Sequence, residues 1–320
     1  MNKNLKNIDF TDYFYIVNYN KNEKDLCVME INSLLSQTLL DENKYNFSDK
    51  YINPSRSPFI KHCISIIYKE KSLNTIIEKI KSANLSFDDF KVCYIKSEDL
   101  DVSYNERLKS VHDIGFVITG FPNIHNPKIT LGISKVHDTW IFGIYEKNNY
   151  LWHNHDKKPN SYSNALNLKT SRALVNIAMK NDFNLSLVDP CCGVGTVVIE
   201  ALDLGFNIKG FELSKPIAKN ARDNIEFFGY KRDIIRNFNM HDIKETFDVC
   251  ILDIPYGLFS PITREEQINI IKTARRITTK RLVIITFENM DTIIENVGFK
   301  IIDKCSVSKN NFKRYISICI

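Results

Sequence analysis

The chain has 320 residues, enough for two domains of ~150 residues each. With 43% apolar and 25% charged residues, it has the composition of an ordinary globular protein, which excludes intrinsic disorder, collagen and coiled coil. No apolar run approaches the ~18 residues of a membrane span. The polar start Met1-Asn2-Lys3-Asn4 leads into no signal-peptide core, so a cytoplasmic protein without membrane contact is expected. The net charge of +5 is placed unevenly. Residues 1–150 carry 19 basic and 19 acidic side chains, whereas residues 151–320 carry 24 and 19. That excess suits a polyanionic partner, and it follows equally from a lysine-rich composition.

Eight cysteines occur, at 27, 63, 93, 191, 192, 250, 305 and 319, and no pair has C-x-x-C spacing. They read as thiols of a reducing compartment. His153 and His155 form an H-N-H pair with no third ligand near them in the sequence, so no metal is expected.

In chain order, Tyr13–Tyr19 reads as a strand. Cys27, Ile31, Leu34 and Leu35 follow helical spacing and predict a helix over 24–38. A β-branched strand spans His62–Tyr68. A helix follows, carrying Leu73, Ile76, Ile77 and Ile80. Then come a strand at Phe90–Lys96 and a helix over 104–118 with Leu108 and Val111. Alternation at Ile129, Leu131 and Ile133, and again at Trp140, Phe142 and Ile144, predicts a strand pair. Residues 1–150 are therefore expected to form an α+β domain. The polar stretch 151–167 reads as a linker, and 168–320 as a second domain.

In that second domain a helix carrying Ala173, Leu174, Ile177 and Ala178 comes first. Strands at 185–189, 207–212, 234–240, 247–253 and 281–287 then alternate with helices at 196–204, 214–228, 263–278 and 289–297, except that 234–240 and 247–253 follow one another directly. The chain ends in strands near 300–308 and 314–320. Such alternation predicts a parallel, doubly wound α/β sheet. The last two strands, with no helix between them, predict an antiparallel hairpin at one edge. This order resembles the Rossmann-like class I S-adenosylmethionine-dependent methyltransferase fold.

Glycine is scarce, and none precedes Gly115. Against that background Asp189-Pro190-Cys191-Cys192-Gly193-Val194-Gly195-Thr196 stands out as a strand, a glycine turn and a helix start. Gly193 and Gly195 allow a tight turn and close approach to a ligand. The helix N-terminus suits a carboxylate, and Asp189 suits an ammonium group. Glu212 ends the next strand, where an acid can accept bonds from ribose hydroxyls. Asn239, Met240 and Asp242 follow the third strand and would flank an adenine. Cys191, Thr196 and Leu213 complete the candidate cofactor set. A dinucleotide is disfavoured because position 198 is valine, not the third glycine of G-x-G-x-x-G. A nucleophilic role for Cys191 is rejected, because base-C5 chemistry requires the cysteine after the fourth strand.

That fourth strand runs Phe247–Leu252 into Asp253-Ile254-Pro255-Tyr256-Gly257. Its apolar centre suits a fully buried strand that ends at the topological switch point. The segment resembles the [Asp/Asn]-Pro-Pro-Tyr motif of enzymes that methylate planar exocyclic amines. In that motif the carboxylate and a backbone carbonyl accept the two N–H groups, and the ring stacks on the base. Ile254 departs from the usual proline, but the carbonyl it supplies is backbone, and Pro255 still holds residue 254 extended. Lys272, Arg275, Arg276, Lys280 and Arg281 form a basic cluster suited to phosphates or, more commonly, to helix C-termini.

Taken together with Lys158-Pro-Asn-Ser-Tyr-Ser-Asn-Ala-Leu166, these motifs resemble the THUMP-domain tRNA guanine-N2 methyltransferases over residues 158–320. A fainter likeness around Asn126-Pro-Lys-Ile-Thr130 points to an N-terminal THUMP-like RNA-binding module. The resemblance implies S-adenosylmethionine as cofactor and tRNA as partner, in a monomer. It implies that Asp253, Pro255 and Tyr256 hold the target base, and it leans toward guanine N2. Two alternatives stay open: an adenine-N6 methyltransferase on RNA or DNA, and a non-catalytic cofactor- and RNA-binding factor.

Overall fold

The computed structural model describes residues 10, 12–35, 44–97, 102–162, 165–255, 262–309 and 312–320. These divide into two compact units. One holds the described residues up to 18 and those from 44 to 149; the other holds 19–35 and those from 150 onward.

In chain order the first half contains β1 (Tyr13–Val17), α1 (Lys24–Leu35), β2 (Tyr45–Ser48), β3 (Ile60–Glu70), α2 (Leu73–Ser82), β4 (Phe90–Tyr94), α3 (Tyr104–Val117), β5 (Ile129–Val136) and β6 (Thr139–Lys147). All but α1 belong to the first unit. Its sheet runs β2-β1-β3-β6-β5-β4. Only the β4–β5 pair is parallel. The helices start where Ser72 and Ser103 accept bonds from the Asn74 and Glu106 amides, satisfying donors that the first helical turn leaves open. Period-2 alternation then sends Val92, Leu131, Ile133 and Phe142 to the face that buries Ile76, Ile80 and Ile114 of α2 and α3. This is the expected α+β arrangement.

The second unit adds α4 (Leu168–Met179), β7 (Leu187–Asp189), α5 (Thr196–Asp203), β8 (Ile208–Glu212), α6 (Lys215–Phe227), β9 (Ile235–Asn237), β10 (Phe247–Asp253), α7 (Arg264–Ile277), β11 (Thr278–Thr286), α8 (Asp291–Asn296), β12 (Ile301–Lys309) and β13 (Phe312–Cys319). Its sheet order is β12-β13-β11-β10-β7-β8-β9. β13 is antiparallel to both neighbours and the remaining pairs are parallel. The terminal hairpin at the edge is as the sequence predicts, and the order is that of the class I methyltransferase sheet. Val249 to Leu252 of β10 are buried, so both faces of this strand are covered, as parallel sheets require. The chain runs outward from β7 through β8 to β9 and then crosses to β10 on the other side of β7. Their carboxyl ends therefore flank a topological switch point, the crevice where α/β sheets bind ligands.

Two segments differ from the sequence expectation. Residues 151–157, read as linker, form a 3-10 turn with Trp152 and His155 buried. His155 Nδ1 lies 2.6 Å from Glu200 Oε1, and Arg172 donates to Glu200 and Asp203 at 2.8 and 2.7 Å. The polarity that suggests a linker comes partly from groups paired across the fold. Helix α1 packs with the second unit. Its Glu30 Oε1 accepts from Asn176 Nδ2 of α4 at 2.6 Å, and Lys169 pairs with Glu23 at 2.6 Å. No described helix is long and apolar enough to cross a membrane.

Candidate cofactor and acceptor site

β7 ends in Asp189, and the chain turns through Gly193 (φ +53°) and Gly195 (φ +83°) into α5. Both angles lie in the left-handed region that glycine adopts without a Cβ penalty. A Cβ at 193 would meet no protein atom within 4 Å, whereas one at 195 would lie 3.2 Å from Ile235 Cδ1. The first turn therefore faces open space, and the second is packed. Glu212, at the end of β8, accepts from the Gly193 amide at 3.0 Å and the Ser214 amide at 2.8 Å. The loop is also held from behind. The buried Asn224 of α6 donates to Val194 O at 2.9 Å and Asn160 O at 2.8 Å, and accepts from the Asn160 amide at 2.8 Å. The Lys158-Pro-Asn segment is thereby tied to the glycine turn.

Asp189 is buried. Burial pushes its carboxyl up to about 8, with the charges of Asp253 and Glu212 adding to the effect. Glu212 is raised by burial too, against three backbone N–H groups that lower it. Asp253 at the end of β10 is half-buried, with Oδ1 enclosed and without a hydrogen-bond partner among the described residues. Burial raises it to about 7, while Arg314 acts the other way. Three carboxylates thus end three adjacent strands, and each is held above its ordinary range by lost hydration. Such a set fits a cationic ligand. Thr196 Oγ1, at the first position of α5, is likewise buried with no partner among the described residues. Two polar atoms without a partner among the described residues, an open glycine turn and three clustered carboxyl groups that a positive ligand would draw toward ionisation fit the ammonium and sulfonium of S-adenosylmethionine.

The remaining candidates line the same edge. Leu213 is 70% exposed, and Asn237 Nδ2 binds the Glu212 and Leu213 carbonyls at 2.9 and 2.8 Å. Met240–Asp242 form a turn after β9, and Met240 Sδ lies 3.6 Å from Cys191 Sγ. Asp242 is exposed there. Burial pushes the Cys191 and Cys192 thiols well above their usual range, so both are neutral packing groups. Most of the basic cluster is used inside the domain. Arg276 donates to the His241 and Ile243 carbonyls, Arg275 to Gly298 O, and Arg281 to Ala178 O, while Lys280 pairs with Asp248 at 3.0 Å. Lys272 lines a groove with His241, Asn269 and Thr273.

At the acceptor end, the Ile254 amide donates to Ile285 O at 3.1 Å, and its side chain is buried with Ile270 and Ile271 of α7. Its departure from proline thus serves the core. Pro255 O accepts from Gln267 Nε2 at 3.1 Å. Tyr256, Gly257 and the loop Leu258–Pro261 lie outside the described residues. Asn224, Gln267 and Arg314 have no motif to mark them in the sequence; only the fold brings them to this edge.

Residues 156–296 match the family described as UPF0020: RMKL-like, methyltransferase domain. The matched residues lie within the second unit. Over 159 residues, 47% of this chain and 47% of the relative, the sequence is 28% identical to the tRNA (guanine(10)-N2)-dimethyltransferase of Pyrococcus abyssi. It is 26% identical over 186 residues to the type II methyltransferase M.VspI of a Vibrio species, covering 54% of this chain and 42% of that protein. The crystal structure of TrmN from Thermus thermophilus aligns over 96% of this chain and 99% of that one, with a TM-score of 0.49 and 12% identity. The chain spans less than half the length of these curated relatives. The matched segment holds every cofactor and acceptor candidate, from Asp189 to Tyr256.

Proposed function

We propose that the chain is an S-adenosylmethionine-dependent RNA methyltransferase that acts on the exocyclic N2 amine of a guanosine in tRNA. The observation that carries this reading is Asp253, a carboxylate at the end of the strand beside the glycine turn, with an enclosed oxygen that has no hydrogen-bond partner among the described residues. The methyltransferase-domain match supports the reaction class, and the tRNA guanine-N2 relative supports the substrate. When bound, S-adenosylmethionine supplies an electrophilic methyl group on a positively charged sulfur. Asp189 would hold the ammonium, Thr196 and the α5 N-terminus the carboxylate, Glu212 the ribose hydroxyls, and Leu213 and Asp242 the edges of the adenine.

Asp253 has the remaining work. A guanine amine has its lone pair delocalised into the ring and becomes positive as it forms a fourth bond. A carboxylate accepting its N–H groups stabilises that charge most when it is largest. Tyr256 would supply a stacking face, a contact worth ~1–3 kcal/mol for a base. The first unit would act as the THUMP-like module that captures tRNA in the cytoplasm.

The test is single-turnover transfer of labelled methyl from the cofactor to tRNA by the full chain, followed by nucleoside mass spectrometry. N2-methylguanosine is expected. Asp253→Ala should lower turnover by on the order of 10²–10³ with cofactor affinity nearly unchanged, and Asp253→Asn should retain part of the rate. Methyladenosine as product would overturn the guanine assignment, and full activity in Asp253→Ala would overturn the site.

A further inference from the structure

The register of the second sheet puts a cation on the same face as Asp253. Asp253 of β10 pairs with Ile285 of β11, which pairs with Ile316 of β13. Laterally paired residues point to the same face, and so do residues two apart along a strand. Arg314 therefore shares the face of Asp253, two strands across and two residues further toward the carboxyl edge. Asp189 is on that face as well, because Val249 pairs with Leu187. The strand spacing of ~4.8 Å puts the β13 backbone within reach of Asp253 for a side chain as long as arginine. The Arg314 guanidinium lies 5.2 Å from the ring centroid of Phe287, the residue that follows β11. A guanidinium over an aromatic face keeps its charge and loses freedom.

Among the described residues, the other titratable groups that interact with Asp253 are acids or thiols. Asp189 and Cys191 approach it from the β7 end, with Glu212 beyond them on β8. Among the described residues, Arg314 is the cation that acts on it, against the effect of burial. From β11 the neighbours Ile285 and Thr286 bring no charge.

We propose that Arg314 is a positioning residue for the acceptor carboxylate: it supplies positive charge that favours the ionised form of Asp253 on an edge crowded with acids. A protonated Asp253 would present an O–H to the target amine, where two N–H groups need acceptors. The ring of Phe287 holds the guanidinium where it can act on Asp253. The inference rests on the role given to Asp253 above, but the coupling itself is measurable without substrate.

The experiment titrates the full-length chain, labelled with carbon-13 at aspartate carboxyls, by nuclear magnetic resonance; Asp253→Asn assigns the signal. In Arg314→Gln the Asp253 midpoint should rise by on the order of one pH unit, and in Arg314→Lys it should stay near the wild-type value. The acid limb of single-turnover methyl transfer should move the same way, so the deficit of Arg314→Gln narrows as pH rises. An unmoved Asp253 titration in folded Arg314→Gln overturns the proposal, and so does a loss of rate equal at every pH. If Arg314→Gln does not fold, Phe287→Leu should shift the midpoint in the same direction by less, and no shift there overturns it. A wild-type chain that transfers no methyl group while its titration still responds to Arg314 overturns the functional reading and supports the coupling.

Discussion

Asp189 is a buried carboxyl group beside Asp253 and Glu212, and in the function proposed above its protonation would couple folding to cofactor binding. Its carboxyl is raised from 3.8 to about 8, mainly by lost hydration. A carboxyl raised on folding contributes stability that is fully present below its unfolded value and is lost as pH rises through the folded value. The ligand-free protein should therefore lose stability between about pH 4 and pH 8. Asp189→Asn removes the titration and keeps an oxygen for the Cys191 amide, which now donates to Asp189 Oδ1 at 3.2 Å. Its thermal midpoint at about pH 8 should exceed that of the wild type by roughly 5 °C, while cofactor affinity falls. Calorimetric melts of the two proteins at acid and alkaline pH decide the matter. A midpoint for Asp189→Asn no higher than wild type at alkaline pH would show that the carboxylate is already compensated without ligand. A site that is strained when empty and relieved by a cationic ligand is a common trade of stability for function.

The glycine turn between β7 and α5 separates the needs of the fold from those of the ligand. At Gly193 an added methyl meets open space, so Gly193→Ala carries only the strain of a left-handed alanine, about 1 kcal/mol. At Gly195 the methyl meets Ile235 and Ala221, so strain and crowding add. Gly193→Ala should therefore melt near the wild-type temperature and bind S-adenosylmethionine at least about tenfold more weakly, equivalent to ~1.4 kcal/mol, because the methyl fills the space the turn keeps open. Gly195→Ala should melt distinctly lower. Unchanged affinity in folded Gly193→Ala, measured by titration calorimetry, would remove the turn from the site.

This turn was legible in the sequence because glycine is rare here and each one marks a backbone requirement. The strands and helices around it were legible from periodicity, and most lie within a few residues of their predicted bounds. β2 was not, because Tyr45-Asn-Phe-Ser48 is a short edge strand with too few residues to show a period. The turn at 151–157 was hidden because its buried His155 finds its partners on α5. For the same reason Asn224 and Arg314 gave no signal: a single polar residue on a helix or strand reads as surface until the fold supplies its partner.

At the scale of the whole molecule, the chain does not divide at one point. It leaves β1, contributes α1 to the second unit, and returns for β2. A boundary near residue 150 separates composition and charge well, but it cuts α1 away from the unit it packs with. Leu26, Met29, Ile31, Leu34 and Leu35 of α1 are buried, each worth about 1.5–3 kcal/mol relative to exposure. Together they are comparable with the ~5–15 kcal/mol net stability of a typical domain. Removing α1 also leaves Asn176 of α4 without Glu30, in a helix buried around almost its whole circumference. A fragment of residues 150–320 should therefore fail to melt cooperatively and should bind the cofactor poorly, although it contains every cofactor candidate. Joining residues 19–36 to it through a flexible linker should restore a cooperative melt and cofactor affinity. It should not restore tRNA binding, whose phosphate contacts would weaken with salt in the full chain. The measurements are circular-dichroism melts, cofactor calorimetry and tRNA binding at several salt concentrations on the three proteins. A 150–320 fragment as stable as the joined form would show that α1 is an accessory to the second unit. A joined form that binds tRNA as tightly as the full chain would take RNA capture away from the first unit and assign it to the second, where the excess of positive charge lies.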